Sequence, residues 1–236
     1  MAAKPNARSR TTTALVVAGS IFIVVAVLVA MVPLMLNLFG GGGVKTEGID
    51  AQSVKPASTD IDGEWTVTNR PGTNHSSAGF TFDEVLPGER RTTSGSTKGV
   101  SGTVTIEGGT LTAGEIEVDM TTITSDSDVR DNNVRRKIFL TDQYPNATFQ
   151  VSEPADLSGV PADGSVAQVE LTGDLTIMDE TNEITETFDV ARSGDRLLVA
   201  GDIHVNRLDY GVETPDFVAA TIAEEGEINI RINMGK

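Results

Sequence analysis

The stretch Glu227–Met234, EINIRINM, decides the fold. Ile228, Ile230, Ile232 and Met234 fall on one side of an extended chain, and Glu227, Asn229, Arg231 and Asn233 on the other. A two-residue period of this kind is the mark of a β-strand with one buried face. The pattern recurs upstream. Val169, Leu171, Gly173, Leu175 and Ile177 alternate with Glu170, Thr172, Asp174 and Thr176. Ile116, Val118 and Met120 alternate with Glu115, Glu117 and Asp119, and Phe80 and Phe82 with Gly79, Thr81 and Asp83. Glu64–Thr68, Val100–Glu107, Asn146–Ser152, Thr185–Ala191 and Leu197–Val205 bring the set to about eight strands. Strands apolar on one side and polar or acidic on the other belong to an antiparallel sheet with one face buried. No long helices alternate with them, which excludes parallel βαβ layers. The expectation is an all-β, antiparallel structure, either a closed barrel or a sandwich. Glycine mixed with aliphatic residues on the inward faces favours a barrel that holds something. Eight phenylalanines, two tyrosines and one tryptophan leave little bulk to plug a wide interior.

One stretch breaks the alternation. Ser125–Phe149, SDSDVRDNNVRRKIFLTDQYPNATF, carries Arg130, Arg135, Arg136 and Lys137 close together in an acidic chain. Ser125 and Asp128 have the spacing of a capping box, with Asp126 and Asp128 at the positive end of the helix dipole and the bases at its negative end. Asp131 and Arg135 are four apart with the acid first, which also favours a helix. The spacing predicts a short helical insertion, read either as a surface helix across one end of the β-structure or as a basic lip over a mouth.

The chain has 236 residues, 18 basic against 34 acidic, and no cysteine. Disulfides, thiolate metal sites and cysteine nucleophiles are therefore excluded. The acidic excess argues against nucleic acid as a partner, because phosphate binding needs a basic face. Ala14–Leu36 is a run of 23 uncharged, mostly apolar residues behind a basic flank, MAAKPNARSR. At ~1.5 Å per residue it exceeds the ~30 Å hydrocarbon core of a bilayer. The positive-inside rule then places residues 1–13 in the cytoplasm, a single transmembrane helix over 14–38, and the remainder outside the cell membrane. A cleaved signal peptide is the competing reading, but the apolar run is long for one and lacks a small-x-small cleavage site. Residues 39–60 have little periodicity and many small or polar residues, and are expected to be a flexible linker. The folded domain is expected over 61–236.

Within that domain RDNNVRRKIFLTDQYPNATF resembles the R-D-x-H-L-R…Y-P-x-x-x-F block of the YceI-like family, and GDLTIMDETNEI resembles its G-D-L-T-I-x-G-x-T block. Glu64-Trp65, Arg207–Gly211 and the terminal E-I-N-I-R-I strand fall where the family has counterparts. The resemblance covers about Ile61–Met234. It implies a lipocalin-like eight-stranded antiparallel barrel with a short helical insertion and an apolar tunnel for a long amphiphile. That amphiphile would be a polyisoprenoid, an isoprenoid quinone or a fatty-acid derivative. Arg130, Asp131, Arg135, Phe139, Tyr144, Pro145 and Phe149 sit on the first block; Gly173, Asp174, Leu175, Thr176 and Thr181 sit on the second. Asn133 stands where the family usually has histidine, and Met178-Asp179 where histidine-glycine is common, so no role of those histidines carries over.

The expected ligand-binding residues are Phe80, Phe82, Ile116, Val118, Phe149, Leu175, Ile177 and Phe188 along the tunnel, with Arg130, Asp131, Arg135 and Phe139 at the insertion. No cofactor, metal or catalytic residue is expected. His75 and His204 lack metal-ligand spacing, and His204 reads as a hydrogen-bonded wall residue. Asp126, Asp128 and Asp131 lack the glycine and glutamate of a calcium loop, and no G-x-S-x-G elbow is present. The partners expected are an isoprenoid or acyl lipid and the cell membrane, with a homodimer left open. A structural or protein-interaction domain of the cell envelope is the alternative. An enzyme acting on the lipid through His204 or an Arg130–Asp131 pair is a further one.

Overall fold

The computed structural model describes residues 43–86, 89–214 and 221–236. The expected cytoplasmic tail and transmembrane helix lie outside these residues. Among the described residues no helix is long and apolar enough to cross a membrane.

The described residues form eleven antiparallel strands. They are β1 (Gly63–Val67), β2 (Ser77–Leu86), β3 (Glu89–Thr97), β4 (Val100–Glu107), β5 (Thr110–Asp119), β6 (Asn146–Val151), β7 (Ala155–Asp156), β8 (Ala167–Ile177), β9 (Glu180–Ser193), β10 (Arg196–Asn206) and β11 (Thr221–Gly235). The ring β1-β4-β5-β6-β8-β9-β10-β11 closes when β11 pairs back onto β1 through Thr66–Gly235 and Val67–Met234. That makes a barrel of eight strands, the number at which the interior is just wide enough for side chains or one small ligand. β11 is long enough to serve two neighbours along one edge. Its C-terminal end meets β1, while the stretch before it pairs with β2 from Val85–Thr221 to Ser77–Arg231. The β2–β3 hairpin thus extends the wall past β1 and β4.

β3 was not foreseen as a strand. Its sequence, ERRTTSGST, offers no aliphatic alternation, and the register with β2 from Leu86–Glu89 to Ala78–Thr97 defines it. Its outer edge is covered rather than left open. Thr124 exchanges backbone hydrogen bonds with Ser96 at 2.9 and 3.0 Å, and the Val44 N–H donates to the Ser94 carbonyl at 3.2 Å. Two-residue hairpin turns show two solutions to one backbone demand. Gly108-Gly109 joins β4 to β5 with both residues at positive φ, whereas Met178 and Asp179 join β8 to β9 at φ 52° and 66°. A side chain is strained there, more so methionine than aspartate.

The expected flexible linker is, from Gly43 onward, strapped to the barrel. The reason is the outer face of β11, where Asn229, Arg231 and Asn233 are 0, 6 and 1 % exposed. Polar groups removed from water must be paired. Arg231 donates to the carbonyls of His75, Glu47 and Gly48 at 3.0–3.2 Å. Asn233 donates to the Asn74 carbonyl at 2.6 Å, and the Thr46 and Ser77 hydroxyls meet at 2.8 Å. Further along, Ser58 N–H donates to the Gly194 carbonyl, and Arg192 donates to the Thr59 carbonyl at 2.7 Å. These contacts, invisible to a search for hydrophobic periodicity, make residues 43–60 part of the folded domain.

Arg231→Met, which keeps the length and removes the donors, leaves three carbonyls without their partner. A loss of about 2–4 kcal/mol is expected, read as a lower urea midpoint at unchanged slope. A change within about 0.5 kcal/mol, the range of a neutral surface substitution, would show that the strap is not held by this residue.

Candidate functional site

The inward faces of the ring enclose a cavity of about 470 Å³, within the roughly 300–1,000 Å³ usual for small-molecule sites. Its wall is aliphatic and aromatic: Ile116 and Val118 from β5, Leu175 and Ile177 from β8, Ile203 and Val205 from β10, Ile228, Ile230 and Ile232 from β11. What keeps the interior open is the placing of four phenylalanines against four glycines. A β-carbon added at Gly95 would stand 2.9 Å from the Phe80 ring, and one at Gly201 2.7 Å from Phe188. At Gly226 and Gly173 it would lie closer still to Phe82 and Phe149. Each ring therefore covers a neighbouring strand's backbone, as aromatic residues do beside glycines in twisted sheets, instead of crossing the lumen.

One end of the cavity is ringed by polar groups and by the insertion. Its helix α1 (Asp128–Asn133) runs on into a π-helical turn over Val134–Ile138. The N-cap is Ser127, whose hydroxyl accepts from Arg130 N–H, and not the expected Ser125. Ser125 is engaged otherwise: its N–H and hydroxyl both donate to Asp131, at 2.7 and 2.6 Å. Asp131 is buried in this bracket, so the expected Arg130–Asp131 and Asp131–Arg135 partnerships do not form. Arg135 instead donates to the Ile123 carbonyl at 2.7 Å. Phe139, beyond the turn, packs on Phe80 with ring centroids 5.7 Å apart. Together these contacts fix the insertion as one lip of the opening.

Arg130 lines the cavity at that lip and pairs with Asp126, one helical turn back. Asn133 also lines it, at the position where the family block usually has histidine. Across the opening Glu84 accepts from the Thr93 hydroxyl, with Arg91 Nε at 3.8 Å. Arg207 is a rivet rather than a binder: it donates to the carbonyls of Ala223, Val212 and Ile222 and so ties β10 to the start of β11. Tyr210 closes the ring. Burial, with Asp209 nearby, pushes its phenol up, so it remains a neutral hydrogen-bonding group at physiological pH.

Ten of the twelve expected ligand-binding residues line the cavity: Phe80, Phe82, Ile116, Val118, Phe149, Leu175, Ile177, Phe188, Arg130 and Phe139. Asp131 and Arg135 do not; they build the lip from behind. His204 is on β10 as expected but points outwards, with its side chain 73 % exposed and Glu186 at 3.7 Å. It cannot act on anything in the lumen. The rim residues Glu84, Thr93, Arg207, Tyr210, Val212 and Glu213 were not expected. Tyr210 lay within a quoted family motif and could have been found; Thr93 sits in a strand with no sequence signal.

The family model for the YceI-like domain matches residues 65–234. The chain belongs to the YceI-like family. Solved structures share the YceI-like fold. One is a polyisoprenoid-binding domain from Saccharophagus degradans implicated in plant cell wall breakdown. It is 19 % identical, with a TM-score of 0.55 over 68 % of this chain and 97 % of that one. Another is BcnA from Burkholderia cenocepacia, 21 % identical, with a TM-score of 0.52 over 67 % and 94 %. Among curated proteins none matches the chain.

Gly226→Ala tests the packing that keeps this YceI-like lumen open. The added methyl forces the Phe82 ring away from the wall, at a cost of about 1–3 kcal/mol by the usual penalty for overpacking. The melting temperature should fall accordingly, and an unchanged value would mean that the ring does not rest on this glycine.

Proposed function

We propose that this YceI-like domain binds one long-chain amphiphile, its hydrocarbon in the lumen and its polar head at the rim formed by α1, Glu84, Thr93 and Tyr210. The observation that carries the reading is the segregation of the cavity: aliphatic and aromatic walls through its depth, with the charged lining residues Glu84, Arg130, Arg207 and Glu213 gathered at one end. A chain without polar atoms loses nothing by entering such a space, while a head group drawn in after it would lose its water. The polyisoprenoid-binding description of the Saccharophagus degradans domain supports a polyisoprenoid, an isoprenoid quinone or a fatty-acid derivative as the class. The domain carries or shields this lipid without altering it. Residues 14–38 hold it to the cell membrane with the barrel on the extracytoplasmic side, as the length of the apolar run and its basic flank support.

Mass spectrometry of lipid extracted from native, gently purified protein should recover about one amphiphile per chain, chemically identical to a species in the source membrane. Val118→Trp, which fills the lumen from a partly exposed position, should lower that yield about tenfold, a change worth ~1.4 kcal/mol. Equal lipid in the variant and the parent would place the ligand elsewhere.

Arg130→Gln distinguishes a head-group contact from a structural clamp. Its partner Asp126 is partly exposed, and such pairs contribute about 0–1 kcal/mol, so the melting temperature should barely move. A charge-assisted hydrogen bond to the ligand is worth about 1.5–3 kcal/mol, so affinity should fall roughly ten- to a hundredfold. Lower stability with unchanged affinity would make Arg130 a structural residue.

A further inference from the structure

The described surface carries five exposed large aliphatic side chains, and four of them stand at the open end of the barrel. Val129, 73 % exposed, projects from α1 at the lip. Val85 lies near the end of β2, opposite the first residue of β11. Leu208 sits in the 3₁₀ turn Arg207–Tyr210 that follows β10. Val44 lies against Ser94 of β3, next to the rim residue Thr93. The fifth, Val166, precedes β8 at the opposite end. Apolar side chains gathered around an opening, with no protein over them among the described residues, mark an interaction surface.

A second, independent observation identifies what meets it. The described chain begins at Gly43, bridged to Ser94 beside the same rim. The transmembrane helix expected over 14–38 leaves four residues, 39–42, before it. Fully extended they span about 13–18 Å. β11 has 15 residues. At ~3.3 Å per residue and the usual tilt of a barrel strand, the barrel stands roughly 35–40 Å tall. A leash that starts at the rim and is shorter than the barrel cannot let the far end face the bilayer while the rim points away.

We infer that the open end of the barrel docks on the surface of the bilayer in which residues 14–38 are anchored, with Val129, Val85, Leu208 and Val44 seated at the lipid interface. The inference rests on the anchor proposed above. Aliphatic contact and the short leash seat the domain rather than its net charge, since residues 43–236 carry 15 basic side chains (18 − 3) against 34 acidic ones. In that pose the lumen opens onto the membrane itself. An acyl or isoprenoid chain passes between bilayer and barrel without crossing water, and its head group stays at the interface throughout.

The chain has no cysteine, so single ones report position cleanly. Val129→Cys and Leu208→Cys at the rim, and Val166→Cys and Glu107→Cys at the far end, are made in the full chain. Each is labelled with a nitrobenzoxadiazole fluorophore and reconstituted into vesicles of phosphatidylethanolamine and phosphatidylglycerol carrying a headgroup spin label. The rim positions should be quenched at least about twofold and the far-end positions hardly at all, as expected for shallow burial of the rim. Equal quenching at both ends, or none at the rim, in protein that resists alkaline carbonate extraction overturns docking while leaving the anchor intact. Release of the protein by carbonate overturns the anchor and the docking together. Lipid extraction from the same preparation reads out ligand binding separately from both.

Discussion

Closure of the barrel depends on β11, because this one strand must satisfy partners on both edges and two different environments on its faces. On one edge it pairs with β10 along eleven consecutive positions, from Arg196–Gly235 to Asn206–Glu225. On the other it is shared between β1 and β2. Its inner face supplies isoleucines to the lumen. Its outer face would be an ordinary solvated one if residues 43–60 did not lie over it. The strap converts Asn229, Arg231 and Asn233 from surface residues into a buried polar layer, which is stable only because nearly every donor and acceptor has a counterpart. Two do not: Asn233 Oδ1 and, in the strap, Thr59 Oγ1 are buried without a partner among the described residues. Buried polar layers of this kind tolerate few substitutions, since removal of one member leaves the others unpaired in a low dielectric.

The second constraint is volumetric. An eight-stranded ring can be filled by its own side chains, and the four phenylalanines on the inner faces could reach into the lumen. Gly95, Gly173, Gly201 and Gly226 prevent this by letting the rings lie along the wall. The emptiness of the lumen is thus built from the smallest residues in the sequence, and the polar rim is built from the insertion and the strand ends. A tube that is apolar throughout its depth and polar at one opening accepts a molecule with the same division, oriented one way.

Much of this was legible from residues alone. Strands with strict alternation, such as Val169–Ile177 and Glu227–Met234, reveal both their existence and their inner face, because burial on one side imposes the period. The lumen residues followed directly from that. The parts that were not legible share a physical cause: they are held by polar and backbone contacts, which leave no hydrophobic period. β3 is mostly threonine and serine, and residues 43–60 bind through carbonyls. The cap at Ser127 rather than Ser125 was decided by a tertiary contact, the capture of Ser125 by Asp131. His204 alternates correctly but on the outer side, so the period was right and the expectation of its surroundings was wrong.

That β11 is the last strand of the ring in chain order also has a bearing on the order of folding. Hairpins such as β4–β5 and β8–β9 are local and can form as soon as their residues are available. The ring, however, closes only when Met234 and Gly235 find Val67 and Thr66, more than 160 positions earlier in the sequence, and the strap has no seat until that strand is in place. Long-range pairings of this kind are the slow steps of β-protein folding. Until β11, a strand of 15 residues, is in place, the chain presents an open, curved sheet whose concave side is the apolar lining of the future lumen. That is the interval in which it is most exposed to aggregation or to a holding chaperone.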